Sequence, residues 1–179
     1  PRERTNSALL GETMRIGLIG GTGKAGSGLA MRWARRGHQV LIGSRDESRG
    51  HQRAKELSKV AGTPIQGGTN HSTTLHSEVI VVCVPYSAHQ LTFGMLNNQH
   101  RNDSIVLDMT VPLKPPKVQQ VQLPQGQSAA LEAAEILGEK IKLVSCLHHI
   151  SAAHLSNLDH SLDCDILVLS LIHISEPTR

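Results

Sequence analysis

Gly21, Thr22, Gly23, Lys24, Ala25 and Gly26 spell G-x-G-x-x-G between an apolar run and a stretch of helical spacing, the context in which this pattern binds a dinucleotide. Each glycine has a steric reason. A Cβ at Gly21 would hinder the tight turn, one at Gly23 would hold the backbone away from a pyrophosphate, and one at Gly26 would push the helix off the strand. The helix that opens here offers free N–H groups and the positive end of its dipole to phosphates. In NAD-specific sites an acid about 20 residues further on accepts from the adenosine 2′-OH. Here that place holds Ser44 and Arg45, with Arg49 one helical turn beyond. A hydroxyl and two guanidinium groups suit a 2′-phosphate, so the expected cofactor is NADP(H). Asp46 would repel a phosphate, and is expected to cap the next helix instead.

The elements that must carry these residues alternate. Residues 15–20 are a short apolar strand, and Leu29, Ala30, Met31, Trp33 and Ala34 mark one face of a helix stopped by Gly37. A strand over 39–43 and a helix from Asp46 through Ala54, Leu57 and Val60 to Gly62 repeat the unit. Residues 78–84 are apolar on both faces, as a central parallel strand is, and Pro85 breaks the run. A helix over 87–96, a strand over 104–108, a Pro-rich loop over 112–124, a helix over 128–137 and strands over 140–145 and 165–169 complete the pattern. Such alternation predicts an α/β fold: a Rossmann-type doubly wound parallel sheet with helices on both faces. Val84 and Pro85 then lie at the carboxyl end of a central strand, where ligands of open sheets collect. A proline there also removes an N–H that a stacked nicotinamide ring could not satisfy. Asp108, at another strand end, is open to two roles, capping its loop or touching a ribose.

Composition narrows the rest. Of 179 residues 39% are hydrophobic and only Trp33, Tyr86 and Phe93 are aromatic, so the core must be aliphatic and rich in alanine. The net charge of +3 is scattered, which with the missing aromatic platforms argues against a nucleic-acid partner. No apolar run approaches the ~20 residues of a membrane span. Cys83, Cys146 and Cys164 are odd in number and widely spaced, unlike a secreted disulfide framework, so a cytoplasmic location is expected. No metal is expected either, because Cys146, His148, His149, His154, His160 and Cys164 follow no ligand spacing. Cys83, inside a strand, is expected to be buried and not nucleophilic.

Several separated segments together resemble the NADPH-dependent coenzyme F420 reductase family: residues 20–30, 42–45, 84–89, 108–113, 147–153, then Leu158-Asp159 and Asp163-Cys164-Asp165. The resemblance implies hydride transfer between NADP(H) and the 5-deazaflavin F420, both held in one cleft at the carboxyl edge of the sheet. It places Thr22 and Gly23 on the pyrophosphate, Ser44, Arg45 and Arg49 on the 2′-phosphate, Val84 and Pro85 under the nicotinamide, and the segment from His148 to Ala152 against the deazaflavin. It also implies a homodimer. Direct hydride transfer needs the two reacting carbons held close and water excluded, so no general acid or base is assigned. His148 and His149 are candidates for a hydrogen bond to the deazaflavin ring. Two other functions fit the nucleotide-binding half alone: an NADP-dependent reductase of an imine or small ketone, and a non-catalytic module that senses the NADP redox state.

The ends stand apart. Residues 1–13 are polar and aperiodic, and Met14 directly precedes the first strand, so they are expected to be a non-native or disordered leader. Residues 14–168 are expected to form the NADP-binding domain with the start of the F420 region. The string 169–179 resembles translated sequencing-adapter sequence and is expected to be extraneous.

Overall fold

The computed structural model describes residues 12–99, 103–113, 124, 128–138 and 141–170. The chain runs β1 (Arg15–Ile19), α1 (Lys24–Arg35), β2 (Gln39–Ser44), α2 (Glu47–Ala61), β3 (Gln66–Thr69), α3 (Asn70–Leu75) and β4 (Val79–Val82). A 3₁₀ turn (Tyr86–Ala88) leads into α4 (His89–Gln99), followed by β5 (Ile105–Asp108), α5 (Ala129–Leu137), β6 (Lys142–Cys146), α6 (Ala152–Ser156) and β7 (Val168–Ser170).

The strands form one sheet in the order β3-β2-β1-β4-β5-β6-β7, parallel throughout except for β7. Ile16 pairs with Val40 on one side and Val79 on the other, so β1 is central. The order reverses between β1 and β4. In open α/β sheets ligands bind outside the carboxyl ends of the strands at such a reversal, which is where the glycine loop stands.

Both sheet faces are covered, and this explains why the strands are continuously apolar instead of alternating. Leu18, Ile42 and Val81 face a core built with Leu29, Ala30 and Ala34 of α1, Ala54 and Leu57 of α2, and Leu155 of α6. Trp33 packs half-buried against this core. Ile19, Ile80, Val82 and Val106 face a second core with Phe93 and Leu96 of α4 and Ala133 and Leu137 of α5. Asp46 caps α2 by accepting the Arg49 N–H at 2.8 Å, and Gly62, at φ +72°, closes it.

Five elements differ from the sequence expectation or add to it. β3 and α3 were hidden because Gly67 and Gly68 spell a turn rather than a strand. Their smallness serves packing: a Cβ at Gly67 would lie 2.6 Å from the Gly50 carbonyl carbon of α2. α6 is too short for a periodic signal. β6 begins two residues later than expected, and β7 covers Val168–Ser170 and runs antiparallel to β6, which makes the sheet mixed at that edge. It therefore extends into the string expected to be extraneous. The rest of that string, most of the expected leader and residues 114–123 of the Pro-rich loop lie outside the described residues.

Candidate functional site

The turn after β1 is built from main-chain hydrogen bonds: Gly21 N–H to the Leu18 carbonyl at 3.1 Å and Gly23 N–H to the Gly20 carbonyl at 3.1 Å. The left-handed residue of the turn is Gly20, at φ +72°. Gly21 has the expected reason, because a Cβ there would sit 2.8 Å from the Leu18 carbonyl oxygen that closes the turn, and 2.9 Å from Ile42 Cβ. Gly26 has the expected reason: its Cβ would lie 2.8 Å from Gly21 Cα and force α1 off the turn.

Gly23 is different. Its φ of −71° suits any residue, and a Cβ there would meet only the Gly20 carbonyl oxygen, at 3.5 Å. Neither the backbone nor the protein's own packing calls for glycine at this position. The room it leaves opens into a cleft.

Gly23 is also the N-cap of α1, and no side chain caps that end. α2, α3 and α5 each receive a side-chain cap, from Asp46, Thr69 and Ser128. The first turn of α1 carries no acidic residue. Its N–H groups and dipole are thus left for an anion.

The cleft has a volume of about 1020 Å³ and joins the tips of β1, β2 and β4. Thr22, Gly23, Ser44, Arg45, Arg49, Val84 and Pro85 all line it, so the structure gathers these seven expected residues. Gly21, Lys24, Ala25 and Gly26 do not: Gly21 and Gly26 are buried beneath the loop, Ala25 is half-buried, and the Lys24 side chain is exposed. Ser44 is buried and its hydroxyl accepts the Asp46 N–H at 3.3 Å, while Arg45 and Arg49 are exposed. The Asp46 carboxylate accepts from the Arg49 N–H and the Ser48 hydroxyl, which hold its pKa below the ordinary value. One carboxylate oxygen takes both bonds, so the cap role expected for Asp46 is the observed one.

Sequence reasoning missed Asn70. It lines the cleft from the tip of β3, and its Oδ1 accepts the N–H of Gly20. It also missed the wall made by α4, where Gln90, Leu91 and Met95 face the cleft. The only signal for Asn70 was a polar residue following a strand end, and that strand was itself concealed.

At the tips of β4, β5 and β6 the polar groups are mostly engaged internally. Asp108 is fully buried; its Oδ1 accepts the Thr110 N–H at 2.9 Å and its Oδ2 lies 3.2 Å from His89 Nε2. Capping its own loop is therefore its role. Tyr86 donates to Glu132 at 2.8 Å and ties the turn after β4 to α5. Burial and the Asp108 charge push the Cys83 thiol up to about 12, and raise that of Cys146 as well, so neither is a ready nucleophile. Cys83 is only half-buried as a residue and borders the cleft, yet its thiol is shielded.

His148 stands at the same carboxyl edge but outside the cleft, on the turn after β6. It is exposed, with Nε2 3.0 Å from the Ser145 hydroxyl. His149 Nε2 donates to the Asp165 carbonyl at 2.8 Å. The residue before them, Leu147, is buried and held at φ +67°. Among the described residues no three His, Cys, Asp or Glu side chains converge as a metal set.

Comparison with known proteins agrees with this geometry. Residues 15–112 match the family model described as NADP oxidoreductase coenzyme F420-dependent. An F420-dependent NADP reductase of Methanothermobacter thermautotrophicus is 36% identical over 165 residues, covering 88% of this chain and 70% of that protein. The reductase of the same name from Methanothermobacter marburgensis is 30% identical, covering 88% and 73%. Among solved structures, a protein of Arthrobacter sp. FB24 superimposes with a TM-score of 0.66 at 20% identity, covering 88% of this chain and 73% of that one. A glycerol-3-phosphate dehydrogenase from Coxiella burnetii does so with a TM-score of 0.62 at 14% identity, covering 80% and 43%. These two show the fold. With the loop, the basic tip of β2 and the match from β1 to beyond β5 taken together, the chain belongs to the coenzyme F420-dependent NADP oxidoreductase family.

Proposed function

We infer that this chain is an oxidoreductase that transfers a hydride between NADP(H) and coenzyme F420, an activity that its family and its F420-dependent relatives support. The observation that carries the nucleotide half is the continuity of one cleft from the uncapped start of α1 to Ser44, Arg45 and Arg49. The glycine at position 23, which the protein itself does not need, fits a pyrophosphate brought close to the main chain.

Bound nicotinamide and 5-deazaflavin rings supply the hydride donor and acceptor between them. The chain's own residues bind, orient and shield. Thr22, Gly23 and the first N–H groups of α1 receive the pyrophosphate at the tip of β1. Ser44, Arg45 and Arg49 receive the 2′-phosphate at the tip of β2, where charge-assisted bonds distinguish NADP from NAD. Val84 and Pro85 support the nicotinamide at the tip of β4. The turn bearing His148 lies two strands further along, about 10 Å by sheet spacing, on the side left for the deazaflavin.

With the nicotinamide held by Val84 and Pro85 and the deazaflavin by the turn bearing His148, the two sites would be neighbours on one sheet edge, as a direct transfer would require. We also take the working form to be a homodimer. Support comes from the exposed apolar edge at Ile166, Leu167 and Val168. No described helix is long and apolar enough to cross a membrane. The three free thiols fit a cytoplasmic location.

The test is to mix the protein with NADPH and F420 without any carbonyl or imine substrate and follow the absorbance of both. Loss of NADPH matched by reduction of F420 is the expected result. Oxidation of NADPH by a ketone or imine, with F420 untouched, would overturn the reading, as would binding of NADP without turnover of either kind. Light scattering in solution tests the dimer.

A further inference from the structure

Arg32 lies on α1, eight residues beyond its first residue, or about 12 Å along the axis from the phosphate loop. Its guanidinium reaches across more than 120 residues of sequence to the end of α6. Nε donates to the Leu155 carbonyl at 3.0 Å, and Nη2 to the carbonyls of His154 at 2.9 Å, Asn157 at 2.6 Å and His160 at 2.9 Å. The last carbonyls of a helix have no partner within it, and they form the negative end of its dipole. A planar cation with several donors answers both needs, where an ammonium would answer only part.

Below the clamp, Leu155 is 1% exposed and rests directly on α1. A Cβ at Gly28 would lie 2.6 Å from Leu155 Cβ and 2.8 Å from its carbonyl carbon, so contact is between the two backbones. The turn on the other side of α6 contains Leu147 at φ +67°. A branched residue stays in that region only where its surroundings leave it no alternative. Residues 148–151 are thus suspended between a strained residue at the end of β6 and a segment clamped to α1.

We propose that Arg32 is a positioning residue for the second cofactor: it fixes the turn bearing His148 on the same helix whose start receives the pyrophosphate. The proposal rests on the reading that this turn faces F420. Arg32 lies outside the cleft that lines the nucleotide site. It sets the separation between the two halves of the site by making both of them depend on one rigid element.

The test is Arg32→Met, with Arg32→Lys as the milder variant, in the full chain. In Arg32→Met the KM for F420 rises at least fivefold while the dissociation constant for NADP, read by calorimetry, stays within twofold. Amide exchange over residues 148–160 accelerates at least tenfold, and that of β1 and β2 does not change. Arg32→Lys, which keeps the charge and loses the fork, shows the same split to a smaller degree, and decides the matter if Arg32→Met fails to fold. Equal losses for F420 and NADP, as a general loosening of the fold would give, overturn the proposal. So does an unchanged KM for F420. A parent chain that binds NADP yet does not react with F420 overturns the functional reading and the proposal together, whereas an active parent with an indifferent Arg32→Met overturns the proposal alone.

Discussion

Asn70 Oδ1 accepts the Gly20 N–H at 3.3 Å, a bond across 50 residues of sequence that ties the tip of β3 to the one left-handed residue of the phosphate loop. Gly43 makes room for it, since a Cβ there would lie 2.7 Å from the same oxygen. Replacing Asn70 with Ala removes the bond and leaves the 2′-phosphate residues in place. One hydrogen bond contributes about 0.5–1.5 kcal/mol net, or roughly a twofold to tenfold change in affinity. Calorimetry with both nucleotides should show NADP and NAD weakened by the same factor within that range. A loss confined to NADP would mean that Asn70 serves the 2′-phosphate instead.

Arg45 should behave in the opposite way. Arg45→Glu replaces a charge-assisted donor with a repelling carboxylate, and such bonds contribute about 1.5–3 kcal/mol each, so NADP affinity should fall by roughly tenfold to a hundredfold or more. NAD binding should change little. Titration of each nucleotide separately checks this, and equal losses would remove Arg45 from the 2′-phosphate site.

Two glycines of the same loop should separate binding from folding. Gly23→Val places its new atoms in the cleft, where the nearest protein atom to the Cβ is 3.5 Å away. It should abolish binding of either nucleotide with Tm unchanged. Gly26→Val meets Gly21 Cα at 2.8 Å, an overpacking of about 1–3 kcal/mol, which for a domain of this size lowers Tm by about 2–4 °C per kcal/mol. Thermal melts with and without NADP distinguish the two.

The cysteines offer a chemical check. With its thiol pushed up to about 12, Cys83 is far less than one part in a thousand thiolate at pH 8, about a pH unit above neutrality. Cys164 is exposed. Brief iodoacetamide treatment at that pH should label Cys164 and spare Cys83 and Cys146, as peptide mass spectrometry would show.

Much of this was legible because backbone geometry leaves marks in residue type. Gly26 and Asp46 do what their types and positions announced, and Arg45 and Arg49 reach the cleft that spacing assigned to them. What stayed hidden depended on contacts distant in sequence. Gly67 and Gly68 look like a turn until α2 is seen lying against them, and with β3 concealed there was no strand end on which to place Asn70. Whether Gly20 or Gly21 takes the left-handed conformation cannot be told from two adjacent glycines. His148 was read onto the correct edge, but the sequence carried no measure of its distance from the cleft.

Trp33, the sole tryptophan of the chain, immediately follows Arg32 and packs against the core that holds Leu155. An indole so placed emits according to how well that core shields it from water. The protein thus carries its own optical gauge: loosening of that core registers as a red shift and quenching, in real time and without any attached dye.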